Sequence, residues 1–427
     1  MKFSSIERAR SFARVRVAVT VRRVDGCGVD CRSARLDRMT TTTTSSARDD
    51  DDDDDDDDAG ERELAQKVAR VRDRFADVLA DGARVEIAPS DAREFRSRCR
   101  FQLVRDDDGG VRHAMWESGA PTLRVDDFEI AVRGIRRAMR AVPRAVREGR
   151  LDEGLEAAHY LASAHEDKVL CTLVYSTPID EETWVREARR VLEMDASMGG
   201  IELMGRSKGV AAKTHRDYVV ESYALADGTR LTYKHAEGSF SNPNRKITIA
   251  TMEFLRDCAR EIREAEGRPL RLLELYCGNG NHSCALAGVF ERVVAVEIDA
   301  KLVRAASESC AMNGVTNVEI VLADSQNVAK RMLRGKFNDA AGNALRAEDF
   351  DVVLVDPPRA GLDDDTLELV GGKFKHILYV SCAPDNLLKN IEQGMREHTC
   401  KRFAILDHFA HTKHIEVAVY MRRDTVD

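Results

Sequence analysis

The chain has 427 residues, 43% of them hydrophobic and 33% charged, with a formal net charge of −8. That balance fits a folded protein of two or three domains with a sizeable core, and no apolar run approaches the roughly 18 residues of a membrane-spanning helix; even Val15 to Val24 is broken by Arg16, Arg22 and Arg23. The ten cysteines include no Cys-x-x-Cys pair, the nearest two being Cys27 and Cys31, so no zinc knuckle or iron–sulfur ligand set is readable and a reducing compartment is suited.

Residues 1 to 48 hold eleven Lys or Arg against four acids, with Ser and Thr throughout. This composition is that of an organelle transit peptide, mitochondrial or chloroplast, with a disordered basic tail on a cytoplasmic protein as the alternative. The aspartates Asp49 to Asp58 repel one another and read as a solvated linker. Residues 1–58 are therefore expected outside the fold, which should begin near Ala59.

From Glu61, apolar residues recur at Leu64, Val68, Val71, Phe75 and Leu79, the spacing of an amphipathic helix that Gly82 can close. Between Phe95 and Leu103 the period changes to two, with Phe95, Cys99, Phe101 and Leu103 on one face and Arg96, Arg98 and Arg100 on the other. Asp107-Asp108-Gly109-Gly110 supplies turn chemistry, so an antiparallel sheet is expected here. A helical stretch follows with Arg133, Arg136, Arg137, Arg140, Arg144 and Arg147 on one face, either an ordinary solvated face or a phosphate-contacting stripe. Residues 59–240 are accordingly read as a smaller α+β domain, a nucleic-acid-binding one if the arginine faces contact phosphates.

Near residue 270 strands and helices begin to alternate, as in a doubly wound α/β sheet. The expected strands are 270–275, 293–298, 318–322, 352–355 and 377–380, with 402–406 and 415–421 closing the chain. The first ends in Glu274-Leu275-Tyr276-Cys277-Gly278-Asn279-Gly280-Asn281, where glycines let the backbone pass close under a ligand. A dinucleotide site wants a third glycine, but Ser283 stands there. Glu297 ends the next strand, placed for ribose hydroxyls, and Asp324 ends the third. With the acid Glu274, this arrangement is that of class I S-adenosylmethionine methyltransferases, because a cationic sulfonium without a pyrophosphate suits an acid-lined loop better than NAD does. Residues 241–427 are read as that Rossmann-like methyltransferase domain.

The fourth strand delivers Asp356-Pro357-Pro358-Arg359, the fifth Ser381-Cys382-Ala383-Pro384, and the last opens with His414-Ile415-Glu416. With Phe95-Arg96-Ser97-Arg98, Ser239-Phe240-Ser241-Asn242-Pro243-Asn244 and the glycine loop, six motifs in order resemble the bacterial-type tRNA uracil-5-methyltransferase family from about Phe95 to the C-terminus. The resemblance implies Cys382 as nucleophile, Glu416 as base, and Tyr276, Asn281, Glu297 and Asp356 as contacts for S-adenosylmethionine, to which the reading of the glycine loop and strand ends adds Gly278 and Asp324. Asn242 stands where the family has Gln, one methylene longer, and is kept as a further binding candidate. Phe240, where the family stacks an aromatic ring on the target base, joins Arg96, Arg98 and Arg359 as candidates for contacting RNA. The related iron–sulfur branch carries an extra cysteine cluster and an N-terminal barrel. Neither is legible here, so neither a metal nor an iron–sulfur cluster is expected.

The chemistry asks for the same residues. Carbon 5 of uracil is a poor nucleophile until a thiolate adds at carbon 6, and a base must then remove the carbon 5 hydrogen so that the thiolate can leave. Cys382 needs an electropositive setting or a nearby proton acceptor, with Arg359 a candidate. The expected function is therefore methylation of a T-loop uridine in tRNA, with no membrane and no obligate protein partner implied. The alternatives are a uridine in another RNA such as rRNA, cytosine carbon 5, or a catalytically weak tRNA-binding factor. Cytosine enzymes of RNA place a second cysteine after the fourth strand, where this chain has Asp356-Pro357-Pro358-Arg359.

Overall fold

A computed structural model of the chain describes residues 51–107, 109–117, 120–339 and 342–424. The basic segment 1–48, with its expected targeting role, lies outside the described residues. Helix α1 (Asp51–Arg74) and the short α2 (Ala76–Leu79) lead into β1 (Arg84–Ala88). A mostly antiparallel layer follows: β2 (Arg98–Arg105), β3 (Val111–Glu117), β4 (Ala120–Arg124), β5 (Leu155–Ser163), β6 (Lys168–Tyr175), β7 (Ile201–Ser207) and β8 (Val210–Lys213). Helices α3 (Arg133–Glu148) and α4 (Glu181–Met194) pack on it, and its strand order is β4-β3-β2-β5-β6-β7-β8 with only β6 and β7 parallel.

The chain then alternates. Hairpin β9 (Tyr218–Ala224) and β10 (Arg230–Ala236), helix α5 (Arg245–Glu266), β11 (Arg271–Leu275), α6 (Asn281–Leu286), β12 (Arg292–Glu297), α7 (Ala300–Met312) and β13 (Val318–Leu322) come first. Next are α8 (Ser325–Leu333), the small pair β14 (Phe337–Asn338) and β15 (Ala344–Leu345), β16 (Val352–Val355), α9 (Asp364–Lys373) and β17 (His376–Ser381). Helix α10 (Pro384–Gly394), β18 (His398–Leu406) and β19 (Glu416–Arg423) complete the fold.

The second sheet has the order β1-β18-β19-β17-β16-β11-β12-β13, parallel except for β19, which runs against both neighbours. Its strands are apolar on both faces because both are covered. Leu272, Val352, Leu354 and Leu378 point at α5, α6 and α7, while Leu273, Leu275, Val353 and Val355 point at α1, α8, α9 and α10. The expected α/β fold class and each of the seven strand positions are observed, with ends moved by no more than a few residues.

Two expectations change. Helix α1 runs through the aspartate segment from Asp51, where an unfolded linker was expected up to Asp58. Val71 and Phe75, buried against the sheet, fix the far end of the helix. The boundary at residue 240 also does not divide the packing. Strand β1 pairs with β18 in the second sheet, and hairpin β9–β10 lies on α7. Leu231 and Tyr233, alternating along β10, enter the same core as Leu255 and Leu272. The Asn313 side chain acts as a strand neighbour for β10, accepting from Thr232 N–H and donating to Thr232 O, both at 2.7 Å. The first sheet is thus a layer inserted between two stretches of chain that both belong to the second.

Candidate active site

Strand β11 lies between β12 and β16, so the connections leaving it and its neighbour diverge to opposite sides of the sheet. A crevice at the carboxyl edge of the strands is the geometric result, and the glycine turn fills its floor. Tyr276, Gly278 and Gly280 have φ of 63°, 57° and 79°, the left-handed region, and Gly280 starts α6. A Cβ at Gly280 would sit 3.2 Å from the Ala306 Cβ, so α6 and α7 could not keep their approach with a larger residue. Glu297, buried at the end of β12, ties the turn down: one carboxylate oxygen accepts from Gly278 N–H at 3.0 Å and the other from Asp299 N–H at 2.8 Å.

Asn281 opens α6, and its buried Oδ1 has no hydrogen-bond partner. Its carbonyl accepts from the Tyr233 hydroxyl at 2.8 Å, which links the β10 hairpin to the turn. Tyr276 is half-buried, and Asp324 caps α8 by accepting from Asn327 N–H at 2.9 Å. Glu274 is placed differently from the acid-lined loop expected for it: it is buried beneath the turn, where it accepts from the Ser283 hydroxyl, and burial pushes its carboxyl up to about 7. Ile298, which the sequence reading passed over, stands 64% exposed directly after Glu297. Its signal was positional: an apolar residue at a strand's carboxyl end has nothing further along the strand to pack on.

Cys382 follows the last residue of β17 and is half-buried, with Pro384 starting α10 just beyond it. Strand β19 pairs antiparallel with β17, Ser381 opposite Val417, and continuing that register by one residue sets Cys382 opposite Glu416. Asp356 and Arg359, on the loop after β16, complete the group. Burial, and then the Asp356 carboxylate, push Glu416 up to about 8 against the pull of Arg359. Burial also raises the Cys382 thiol above its ordinary value, followed by Glu416 and Asp356, with Arg359 opposing. Arg359 acts in the direction expected of it but is outweighed, so the thiol's neighbour of consequence is a proton acceptor.

Two buried histidines adjoin this group, and neither was singled out in the sequence, because an isolated histidine near a strand carries no periodic signal. His408 Nε2 lies 3.3 Å from a Glu416 oxygen, and burial pushes this histidine down to about 3, which keeps it neutral. His282 Nε2 lies 3.5 Å from an Asp356 oxygen; burial works against its charge, but Asp356 and Glu274 hold it above its ordinary value.

The remaining candidates form a second group on the segment 239–244. Phe240 is 62% exposed, which excludes a core role, and the Arg98 guanidinium lies 5.1 Å from its ring centroid. Arg98 also donates to Ser239 O at 3.2 Å, and Arg96 donates through Nε to Arg98 O at 3.0 Å. Burial pulls Arg98 down to about 10. Both arginines therefore hold the segment as well as bordering it. Asn242 is half-buried beside Pro243, whose carbonyl accepts from the Ser97 N–H at 2.8 Å and hydroxyl at 2.9 Å.

The arginine face of α3 is mostly engaged with acids: Arg133 with Glu94, Arg136 and Arg140 with Asp127, and Arg144 with Asp195. That is the arrangement of an ion-paired solvated face. A cleft of 860 Å³ lies beside it, far from any nucleophile, whereas a cleft of 620 Å³ opens on Cys382 itself. Chemistry selects the smaller one. Among the described residues no group of three or more His, Cys, Asp or Glu is placed to hold a metal ion, and no helix is long and apolar enough to cross a membrane.

A glycine turn at the switch point, an acid ending the second strand and an antiparallel seventh strand define a class I S-adenosylmethionine-dependent methyltransferase fold. The same fold is found in a Pyrococcus abyssi tRNA (uracil-54, C5)-methyltransferase solved with S-adenosyl-L-homocysteine, with a TM-score of 0.62 over 84% of this chain and 83% of that one at 18% identity. A family model described as tRNA (Uracil-5-)-methyltransferase matches residues 59–424, and the chain belongs to that family. Relatives include a tRNA/tmRNA (uracil-C(5))-methyltransferase of Yersinia enterocolitica, 35% identical over 367 residues, 85% of this chain and 96% of that protein. One of Stutzerimonas stutzeri is 36% identical over 366 residues, 84% and 96% of the two chains.

Proposed function

We propose that the protein methylates carbon 5 of a uridine in the T loop of tRNA, giving ribothymidine, through a covalent bond between Cys382 and carbon 6. The observation that carries this reading is the register of β17 and β19, which sets a half-buried thiol opposite a buried carboxyl at the carboxyl edge of a methyltransferase sheet. A thiol there serves an addition, and a carboxyl whose affinity for protons is raised serves as the acceptor that the elimination requires.

The Cys382 thiol gives its proton to solvent through the open cleft, the thiolate adds to carbon 6, and the electron pair of the carbon 5–carbon 6 bond moves onto carbon 5 and the adjoining carbonyl. S-adenosylmethionine, when bound, would supply the methyl group as an electrophile: the carbon 5 electron pair forms the new bond as the methyl–sulfur bond breaks and S-adenosylhomocysteine leaves. Glu416 takes the hydrogen from carbon 5, the double bond re-forms, and the sulfur leaves carbon 6. Neutral His408 beside Glu416 adds no positive charge that would weaken the base.

The residues present fit the methyl donor. The buried, unpartnered Oδ1 of Asn281 is an acceptor awaiting a donor group such as an ammonium. Glu297 at the end of β12 retains lone pairs for ribose hydroxyls, and the exposed Ile298 offers an apolar face to a flat base. Tyr276, Gly278, Asp324 and Asp356 lie at the same carboxyl edge of the sheet, and Asn242 is a further candidate contact for the donor. Phe240, exposed and backed by Arg98, is the ring on which an extruded uracil would stack, since a base inside a folded loop has to leave its stack to be reached.

The test is methyl transfer from labelled S-adenosylmethionine to an unmodified tRNA transcript, followed by nucleoside analysis and mapping. Label in 5-methyluridine at the T loop is the expected result. Label in ribosomal RNA alone, in 5-methylcytidine, or nowhere contradicts it.

A further inference from the structure

The cleft that opens on Cys382 has a wall that the sequence reading placed elsewhere. Its lining includes Arg70 and Arg74 from α1, Arg359 from the loop after β16, Lys389 from α10 and Lys413 from the loop before β19. All five cations are exposed, and the only carboxylate among the lining residues, Asp385, pairs with Arg74 at 2.8 Å, which leaves the other four without an acid in the lining. Four parts of the chain thus converge their positive charge on the mouth of the nucleophile, in a protein whose net charge is −8.

This convergence is built rather than incidental. Lys67, only 3% exposed, donates from α1 to an Asp407 oxygen at 3.0 Å and to Phe409 O at 3.1 Å, so it pins the helix to the loop that leads into Glu416. Val71 and Phe75, one and two turns further on, are buried, with Phe75 edge-on to Phe403 at 5.1 Å. A helix fixed by 67, 71 and 75 must turn 70 and 74 toward the neighbouring face. Arg70 accordingly donates to Lys413 O at 2.6 Å, which sets the Lys413 loop against the helix. His414 reports the resulting field: burial first, and then Arg359, Lys413, Lys67 and Arg70, hold it below its ordinary value.

We propose that α1 forms one wall of an RNA groove at the catalytic cleft, where Arg70, Arg359, Lys389 and Lys413 hold the phosphates on either side of the uridine presented to Cys382. The inference rests on the proposed RNA substrate. A sulfonium-bearing methyl donor carries positive charge and is repelled by such a mouth, whereas a phosphodiester strand brings several closely spaced negative charges to it. The arginine face of α3, already matched to Glu94, Asp127 and Asp195, lacks this excess.

The experiment compares the full chain with the triple variant Arg70→Gln, Lys389→Gln, Lys413→Gln, and with Arg140→Gln, Arg144→Gln as a control on α3. Affinity for an unmodified tRNA transcript is measured across a salt series, with S-adenosyl-L-homocysteine binding as a separate readout. The triple variant should lose affinity at low salt and reduce the slope of log affinity against log salt by about 0.7–0.9 for each phosphate contact removed, while the α3 variant keeps its slope. Binding of S-adenosyl-L-homocysteine should be the same in all three. Should the triple variant fold poorly, Lys389→Gln with Lys413→Gln, both on exposed side chains, gives the same reading with about two contacts. An unaltered slope in the triple variant, when the wild-type enzyme methylates tRNA, overturns the groove and leaves the function standing. Loss of binding to a poly-glutamate peptide without any change toward tRNA assigns the cleft to an acidic protein and likewise overturns it.

Discussion

At the scale of single residues, the chemistry turns on two protons held more tightly than usual. Burial, and then Asp356, raise Glu416 to about 8, while burial, and then Glu416 and Asp356, push the Cys382 thiol upward. A protonated Glu416 cannot accept the carbon 5 hydrogen and a protonated thiol adds poorly, so both deprotonations work in the same direction. Release of free methylated tRNA in a single turnover should therefore rise with pH across the neutral range and level off above about 8. A rate that is flat from pH 6 to 9, or that falls, would remove the raised carboxyl from the rate-determining chemistry. Cys382 and Glu416 were legible in the sequence because strand ends carry sites and their motifs stood in order. His408 and Lys67 were not, since one histidine or one lysine in a helical stretch reads as solvent-facing until the partner 340 residues away is known.

At the scale of elements, the glycine turn and its supports act as one unit. Glu297 spends one lone pair of each oxygen on the backbone N–H groups of Gly278 and Asp299, which fixes the turn before any ligand arrives. Glu297→Ala should weaken S-adenosyl-L-homocysteine binding by about 1–3 kcal/mol, the worth of hydrogen bonds to a charged group, as measured by calorimetry. An unchanged dissociation constant would show that the carboxylate serves the turn alone. The strands of the second sheet were readable because buried parallel strands are continuous apolar runs between helical segments. Strand β1 was not, because Arg84–Ala88 gains its meaning only from β18, more than 300 residues later. The β9–β10 hairpin shows the complementary difficulty: alternation at Leu231 and Tyr233 reveals a buried face but not which layer buries it.

At the scale of the whole molecule, α1 is clamped to the catalytic layer by a buried ion pair. Lys67→Met leaves Asp407 buried without its cation, and breaking such a pair from one side costs about 3–5 kcal/mol. A urea melt of the full chain should show a loss of that size, and a loss below about 1 kcal/mol would indicate that water replaces the lysine. For residues 1–48 we propose an organelle-targeting role, on composition alone. A fluorescent protein fused behind them should collect in mitochondria or chloroplasts, and a diffuse cytosolic signal would contradict that role.

The covalent route is the central claim, and Glu416→Gln tests it most directly, because it separates attachment to the RNA from release. The amide keeps the size and much of the hydrogen bonding of the carboxyl but cannot accept a proton. Addition by Cys382 and one methyl transfer should proceed, and the elimination should then stall. Incubation with unmodified tRNA and S-adenosylmethionine should therefore yield a methylated protein–RNA species that survives denaturing electrophoresis. It should be absent without S-adenosylmethionine and absent when Cys382→Ala is added. Normal turnover by a folded Glu416→Gln enzyme, or loss of activity with no trapped species, would contradict the account.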